Sequence, residues 1–387
     1  MTKKVSFVTY ADLGNLSNLK TPQAEYVINT FKEREGLEQV ICRRSRGCKN
    51  QGVERALPEV IYMLLGAISK VFKGNFHKRF YEEEIFDWFA SRKLRSSDVI
   101  FIHPARFGGV LSAAKKFSAV TVGIATTAHP EFNKALWNEE LVTQGYSSDL
   151  NIIRLDIKNL NNFDYLIAYS DFAKDSFIEN GFDAGRIFVA NSDFDLGRFY
   201  SDFNQKKKGE FVAVFPAAST GMLKGLQHVI YAWDKFEHPS KKLIILGERK
   251  LWPKGLEKEI SKKISGDETM IEKGVVSNPE DYYRQADVAI LPSRTEGFSR
   301  SIAEAMASEL PVITTEYAKG LMEHKQSGWI VPWRGVDEIA EALDFFANNP
   351  GERRRMGKNA RNAIKTKKPF GEAVYEIYEE ICRREGL

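Results

Sequence analysis

Cysteine is scarce in this chain, with three residues, Cys42, Cys48 and Cys382, among 387. They form no C-x-x-C pair and no spacing that would suit a structural zinc ion. A disulfide framework is therefore not expected, and the usage is typical of a protein of the reducing cytoplasm. We also expect no metal in the functional site.

Long apolar runs are missing as well. The most apolar segment, VIYMLLGAISKVF, is interrupted by Lys70 and is shorter than the roughly 20 residues that a membrane-spanning helix needs. The N-terminus, MTKKVSFVTYADLG, lacks the apolar stretch and cleavage site of a secretory signal. We therefore expect a cytoplasmic protein and leave a peripheral contact with a membrane open.

Neither sign of charge dominates. The chain has 56 Lys and Arg against 52 Asp and Glu, a net charge of +4. This excess is too small to indicate binding to nucleic acid, so we expect no such partner. With 43% hydrophobic residues, the composition is that of an ordinary globular protein.

Short apolar runs, separated by polar or helix-periodic stretches, occur in two series. The first series is VSFVTY, DVIFIHP, TVGIATT, DYLIAYS and RIFVANS, and the second is FVAVFPAA, KLIILGE, MIEKGVV, DVAILPS, PVITT and GWIVPW. This alternation predicts two doubly wound α/β domains, residues 1–203 and 204–368, that face each other across a cleft. The segment NQKKKGE at 204–210 is the predicted linker, and residues 369–387 have the apolar period of a final helix.

Two glutamates follow the run DVAILPS, in the stretch PSRTEGFSRSIAEAMASELPVITTE. Glu296 lies in the predicted loop and Glu304 early in the next helix. The backbone N–H groups near Ser299, Arg300 and Ser301 would form the helix N-terminus, which favours phosphate. Carboxylates accept hydrogen bonds from vicinal hydroxyls, so one could hold a sugar and the other a ribose. The spacing alone fits a structural interpretation equally well, in which Glu296 is a capping or surface residue and Glu304 interacts with the helix dipole.

The same passage closely resembles family 4 of the retaining, nucleotide-sugar-dependent glycosyltransferases, whose GT-B fold has two Rossmann-like domains. The resemblance implies that Glu296 contacts the donor sugar and that Glu304 binds the ribose hydroxyls. The residues that carry it are Pro292, Ser293, Glu296, Gly297, Phe298, Glu304, Ala305, Met306, Ala307, Pro311, Val312 and Ile313.

A second landmark of that family is a strand ending in Gly-Arg and followed by Lys-Gly, where the two cations neutralise the donor diphosphate. In FPAASTGMLKGLQHVIYAW, Lys224 and Gly225 match this pattern, but Ser219 stands at the position of the arginine. Half of the cationic clamp is therefore absent. We expect Lys224 to carry the role alone or with Arg300.

The first half of the chain resembles the family more loosely. His129, after the run TVGIATT, stands where relatives often have a histidine beside the donor, and Gly14 corresponds to a glycine-containing loop. The run DFD at Asp193 to Asp195 also fits the metal-binding Asp-x-Asp of the other glycosyltransferase fold. It precedes the linker, however, so we assign it to the closing element of the first domain.

These features predict a retaining transfer of a sugar from a nucleotide diphosphate sugar to the hydroxyl of a sugar, lipid-linked or other acceptor. No cofactor or metal is expected. Two alternatives stay open: a nucleotide-sugar epimerase of the same fold, and a non-catalytic nucleotide-sugar-binding protein that lost the arginine.

Overall fold

The structure of the chain is a computed structural model that describes residues 3–13, 23–34, 36–45, 52–71, 78–146, 160–193, 195–202, 209–249 and 252–387. Gly14 and residues 204–208 of the predicted linker lie outside these ranges. Two compact units are present. The first comprises residues 1–130, 154–193 and 368–387, and the second residues 131–153 and 194–367.

The first unit contains a parallel sheet of seven strands in the order β3-β2-β1-β4-β5-β6-β7. Its strands are β1 (Val5–Leu13), β2 (Gln39–Ser45), β3 (Val53–Arg55), β4 (Val99–His103), β5 (Val120–Ala125), β6 (Tyr165–Ala168) and β7 (Ile187–Val189). Its helices are α1 (Gln23–Arg34), α2 (Glu59–Val71), α3 (Lys78–Lys93), α4 (Gly108–Lys116), α6 (Asp171–Glu179) and α13 (Phe370–Glu385), while α5 (Pro130–Thr143) belongs almost entirely to the second unit.

The second unit contains a parallel sheet of six strands in the order β10-β9-β8-β11-β12-β13. Its strands are β8 (Phe211–Thr220), β9 (Lys241–Arg249), β10 (Met270–Gly274), β11 (Val288–Leu291), β12 (Val312–Thr314) and β13 (Gly328–Ile330). Its further helices are α7 (Leu226–Lys235), α8 (Lys254–Gly266), α9 (Pro279–Gln285), α10 (Arg300–Ala307), α11 (Val336–Asn348) and α12 (Pro350–Lys365).

The central strands are mostly apolar because helices cover both faces of a doubly wound sheet. Every residue of β4, β6, β11 and β12 is buried. In the first unit the final helix α13 packs on α1, where the ring of Phe31 meets the rings of Phe101, Tyr375 and Tyr378. The apolar side chains that recur along α13 therefore form part of the core of the first unit.

The predicted α/β class with two parallel sheets is confirmed, and each predicted run contains a strand. The prediction missed β2 and β3. In β2 only Val40, Ile41 and Cys42 are apolar before two arginines follow, and β3 has three residues at the edge of the sheet. Such short runs lack the signal on which strand prediction depends.

Each sheet has one point at which the strand order reverses, between β1 and β4 in the first unit and between β8 and β11 in the second. At such a point, the loops that follow the two strands diverge and leave a crevice that ligands occupy. The described helices include none that is long and apolar enough to cross a bilayer.

Candidate active site

Two loops meet at the switch point of the second sheet. Because β8 and β11 are neighbours in the sheet, the turn at Met222–Lys224 lies beside the loop that begins at Pro292. The N–H of Arg294 donates to the carbonyl of Leu223 at 2.7 Å, and the hydroxyl of Ser293 donates to the same carbonyl at 3.2 Å. The backbone thus links the two loops directly.

Gly225 permits this close approach. Its φ of 78° lies in the left-handed region, which favours glycine, and a Cβ there would stand 2.5 Å from the carbonyl oxygen of Pro292. In the Lys-Gly pair, Lys224 therefore provides the charge, while Gly225 is required for the close approach of the two loops.

Lys224 and Glu296 form an ion pair across these loops, between Nζ and Oε1. Glu296 is mostly buried, with 13% of its side chain exposed, and Lys224 is 29% exposed. A cation and a carboxylate that are 72 residues apart in sequence thus come together at the switch point. An anionic ligand entering here would compete with Glu296 for Lys224 and leave the carboxylate oxygens to accept hydrogen bonds from hydroxyl groups.

Glu304 lies on α10, buried to 8% exposure. The hydroxyl of Tyr283 donates to Oε2 of Glu304 at 3.4 Å and to the carbonyl of Ser301 at 3.1 Å, and Arg300 lies 3.5 Å from Oε1. Burial raises the pKa of the Glu304 carboxyl above its ordinary value, although Arg300 and Tyr283 oppose the shift.

The first turn of α10 follows Ser299, whose side chain is buried and makes no capping hydrogen bond. Gly297 is buried, while Phe298 and Ser301 are half-buried. Such a helix start directs N–H groups outward and suits an anion. The predicted donor-binding residues from Gly297 to Glu304 therefore share one loop and helix start with Glu296.

Ser219 is the next-to-last residue of β8 and pairs in register with Glu248 of β9. It lies five residues before Lys224, on the strand that leads into the charged turn. The missing arginine would thus have come from this strand end.

His129 belongs to the first unit, four residues after β5, and is buried. Its backbone N–H donates to Oγ of Ser176 at 2.8 Å, and its ring meets that of Phe177 edge-on at 5.1 Å. Lys224, Glu296 and His129 are the three residues that the sequence predicts at the reacting part of the donor. The structure brings two of them together, because Lys224 and Glu296 both belong to the second unit. Their roles, and that of His129, stay predictions.

The Asp193 and Asp195 carboxylates accept hydrogen bonds from backbone N–H groups. Asp193 accepts from the N–H of Phe370 at 2.8 Å, and Asp195 accepts from the N–H groups of Gly197 and Arg198 at 2.9 and 3.0 Å. Within the described ranges, no group of three or more His, Cys, Asp or Glu side chains is arranged to hold a metal.

Sequence reasoning overlooked two polar side chains. His103 ends β4 at the switch point of the first sheet, where its ring contacts Thr9 Oγ1 at 3.0 Å and the Tyr169 hydroxyl at 3.3 Å. Its place at a strand end was a usable signal. Asn133 on α5 accepts a hydrogen bond from Thr295, beside Glu296. That contact joins residues 162 positions apart and leaves no trace in the sequence pattern.

Residues 198–363 match the family model described as glycosyl transferases group 1. Over 145 residues, which are 36% of this chain and 40% of the relative, the chain is 28% identical to an uncharacterized glycosyltransferase of Haemophilus influenzae. Over 108 residues, 27% of each chain, it is 32% identical to the capsular polysaccharide biosynthesis glycosyltransferase CapM of Staphylococcus aureus. These matches thus span less than half of either relative.

Among solved structures, Alr3699/HepE of Anabaena, in complex with UDP and glucose, superposes with a TM-score of 0.67 at 16% identity. The match covers 98% of this chain and 99% of that one. At such low identity the likeness concerns the fold, and it confirms the predicted GT-B architecture.

Proposed function

Because residues 198–363 match the model of the group 1 glycosyltransferases, we propose that this chain is a member of that family and transfers a sugar from a nucleotide diphosphate sugar to an acceptor hydroxyl, with retention at the anomeric carbon. The observation that carries the proposal is the Lys224–Glu296 pair on two hydrogen-bonded loops at the switch point of the second sheet. HepE, which has the same fold, was solved with UDP and glucose, and this supports a nucleotide sugar as donor.

In the proposed complex, the donor diphosphate binds Lys224 and displaces Glu296 from its ion pair. The charge that develops on the leaving diphosphate is stabilised by Lys224 and by the N–H groups at the start of α10, because both are already in place before the bond breaks. Arg300 supplies a second cation and partly replaces the family's arginine, whose position is occupied by Ser219 in this chain.

Glu296, released from Lys224, accepts hydrogen bonds from the donor sugar. Glu304 accepts them from the ribose, and the roles of His129 and Gly14 stay those that the family resemblance implies. No side chain is assigned as a general base: the acceptor attacks from the side of the leaving group, whose phosphate oxygen takes the acceptor proton. No metal takes part, so transfer should persist in EDTA.

We assign the acceptor to the first unit. A pocket of about 70 Å³ lies there, after the carboxyl ends of β4 and β5. It is lined by Pro104, Ala105, Arg106, Ala125, Thr126, Thr127, Ala128, Pro130, Leu160 and Phe177. The name of CapM, a capsular polysaccharide biosynthesis enzyme, supports a saccharide or a lipid-linked saccharide as acceptor.

A peripheral contact with a membrane is part of the proposal for a lipid-linked acceptor. Helix α2 supports it, because Val60, Met63 and Leu64 recur at helical spacing and are each more than half exposed. Sedimentation with anionic vesicles should recover the wild-type chain and less of Met63→Ser/Leu64→Ser. Equal recovery of the two proteins would contradict the membrane contact.

The function is tested by incubating the protein with UDP-glucose, UDP-galactose and GDP-mannose, each with and without a mixture of saccharide acceptors and with EDTA present. We expect one donor to release its nucleoside diphosphate only when an acceptor is present. Conversion of a donor to an isomer without acceptor would instead indicate the epimerase. Binding without any conversion would indicate the non-catalytic protein, which the serine at position 219 favours.

A further inference from the structure

Helix α5 comes from the first half of the chain, but residues 131–143 belong to the second unit. A buried charge holds it there. Glu140, only 1% exposed, accepts two hydrogen bonds from Arg334, at 3.0 Å from Nε and 2.8 Å from Nη2. The side-chain amide of Gln227 donates to the other oxygen of the same carboxylate at 3.1 Å. A buried carboxylate with these donors is fixed in position, since loss of the Arg334 pair would leave a buried charge without its cation.

Arg334 adopts a φ of 65°, in the left-handed region that non-glycine residues rarely occupy. Its side chain also contacts Glu139 at 3.3 Å and the hydroxyl of Thr143 at 3.0 Å. The contacts with α5 compensate for this unfavourable backbone. Helix α5 is thus anchored at its C-terminal end.

Residues from both halves of α5 contact the loop that carries Glu296. The hydroxyl of Thr295 donates to Oδ1 of Asn133 at 2.7 Å, and Arg294 lies 3.7 Å from Glu139. Thr295 directly precedes Glu296 in the chain. Two successive loop residues are therefore held by one helix that is itself anchored by Glu140.

We propose that α5 is a brace for the donor loop and that Asn133 and Thr295 are positioning residues for Glu296. The proposal rests on the assignment of Glu296 to the donor sugar. It adds that the Glu296 carboxylate reaches the sugar in the correct orientation only while the Thr295 hydroxyl is bound to Asn133.

The physical reason is that a loop has no backbone ladder to fix it, so the contacts of its side chains set its position. The carbonyl of Thr295 accepts a hydrogen bond from Ser293 at 3.0 Å, which shapes the loop from within. The bond to Asn133 connects the loop to a helix outside it. A small displacement of a group that positions substrate lowers the rate strongly, even when the chemistry itself is unchanged.

The decisive variants are Thr295→Val, which removes the hydroxyl at nearly constant volume, and Thr295→Ser, which keeps it. Asn133→Ala removes the acceptor, and Asn133→Ala/Thr295→Val completes a double-mutant cycle. Asn348→Ala is the matched control, because it removes an asparagine side chain whose amide donates to the carbonyl of Asp344 within α11.

Two kinds of measurement are made on each variant of the whole 387-residue chain. Hydrogen–deuterium exchange of residues 292–299 is followed without ligand, and kcat, KM for the donor and the inhibition constant of the nucleoside diphosphate are measured with the donor found active. Thr295→Val and Asn133→Ala should raise exchange in the loop and lower kcat about two- to tenfold, as expected for the loss of one neutral hydrogen bond. The inhibition constant should be unchanged, because the diphosphate binds Lys224.

Thr295→Ser and Asn348→Ala should resemble the wild type, and the double variant should be no worse than the poorer single variant. If valine and serine at position 295 behave alike, or if loop exchange is unchanged in Thr295→Val, the brace is refuted. If the wild type neither binds nor converts any nucleotide sugar, the proposed function fails, and loop exchange alone then decides whether the brace exists.

Discussion

The two sheets have switch points of the same topology but of opposite chemistry. In the first unit the residues at β1 and β4, Thr9 and His103, are buried and contact each other, and burial together with nearby Arg106 lowers the pKa of His103 to about 4. In the second unit, Lys224 and Glu296 lie on the loops after β8 and β11, and their charged side chains are partly exposed to solvent.

The difference shows that the doubly wound fold supplies a crevice, whereas the side chains at the strand ends decide what the crevice can do. The buried Thr9–His103 contact belongs to the core of the first unit. A charged and partly open switch point can exchange its internal ion pair for a ligand.

The largest expected effect is that of Lys224→Ala. If Lys224 stabilises the leaving diphosphate, its loss should lower kcat about a hundredfold or more, or roughly 2.7 to 4 kcal/mol, because the interaction strengthens as the bond breaks. Steady-state kinetics with the active donor provide the measurement. Lys235→Ala, which removes an exposed lysine paired with Asp337, is the control. A kcat of Lys224→Ala within twofold of the wild-type value would mean that the charged switch point has no catalytic role that sets it apart from the first one.

The buried His103 at the first switch point predicts a pH effect on stability. Because the pKa of His103 is lowered to about 4 in the fold, the unfolded chain binds its proton more readily, so stability falls as pH decreases from about 6.5 towards 4. His103 alone should cost about 2 kcal/mol at pH 5 relative to pH 7.

Urea unfolding of the wild type and of His103→Gln at pH 7 and pH 5 measures this effect. The variant should lose less stability on acidification than the wild type. Equal losses would mean that His103 is not the buried, neutral group described above.

Glu304→Gln tests the second carboxylate of the charged region. A lost hydrogen bond to a charged acceptor should weaken nucleoside diphosphate binding by about 1.5 to 3 kcal/mol. Because burial raises the pKa of Glu304, wild-type affinity should also fall on acidification at a higher pH than for an ordinary glutamate.

Calorimetry from pH 7.5 to 5 should show the nucleotide affinities of the wild type and Glu304→Gln converging at low pH, because protonated Glu304 is neutral like glutamine. Titration of the phosphate affects both proteins equally. Arg300→Gln is a useful companion, because it leaves the carboxylate in place. An affinity of Glu304→Gln equal to that of the wild type at pH 7.5 would exclude Glu304 from the ribose site.

The smallest effect is a gain. Ser219→Arg should restore a second cation at the end of β8 and tighten nucleoside diphosphate binding about tenfold, because guanidinium groups bind phosphate in a bidentate manner. Ser219→Gln, of similar length but without charge, should not. If arginine and glutamine have the same effect, the end of β8 does not face a phosphate.

Much of the second unit could be predicted because its signals are local. The apolar runs identified the strands, and the rule that ligands bind at the carboxyl ends of strands selected Lys224 and Glu296 before their ion pair was visible. In the first unit, β2 and β3 were missed because their apolar runs are short.

The place of α5 was not predictable, since its Glu140–Arg334 and Asn133–Thr295 contacts join residues far apart in sequence. The same holds for the mutual neutralisation of Lys224 and Glu296. Sequence periodicity indicates which face of an element is buried but does not specify its distant partners.

The central claim, that the charged switch point binds the donor diphosphate, is tested most directly by calorimetric titration of UDP, GDP and ADP into wild type, Lys224→Ala and Ser219→Arg. We predict that one nucleotide binds the wild type, that it binds Lys224→Ala at least tenfold more weakly, and that it binds Ser219→Arg more tightly. Unchanged affinity in both variants would contradict the claim and leave the fold without an assigned donor site.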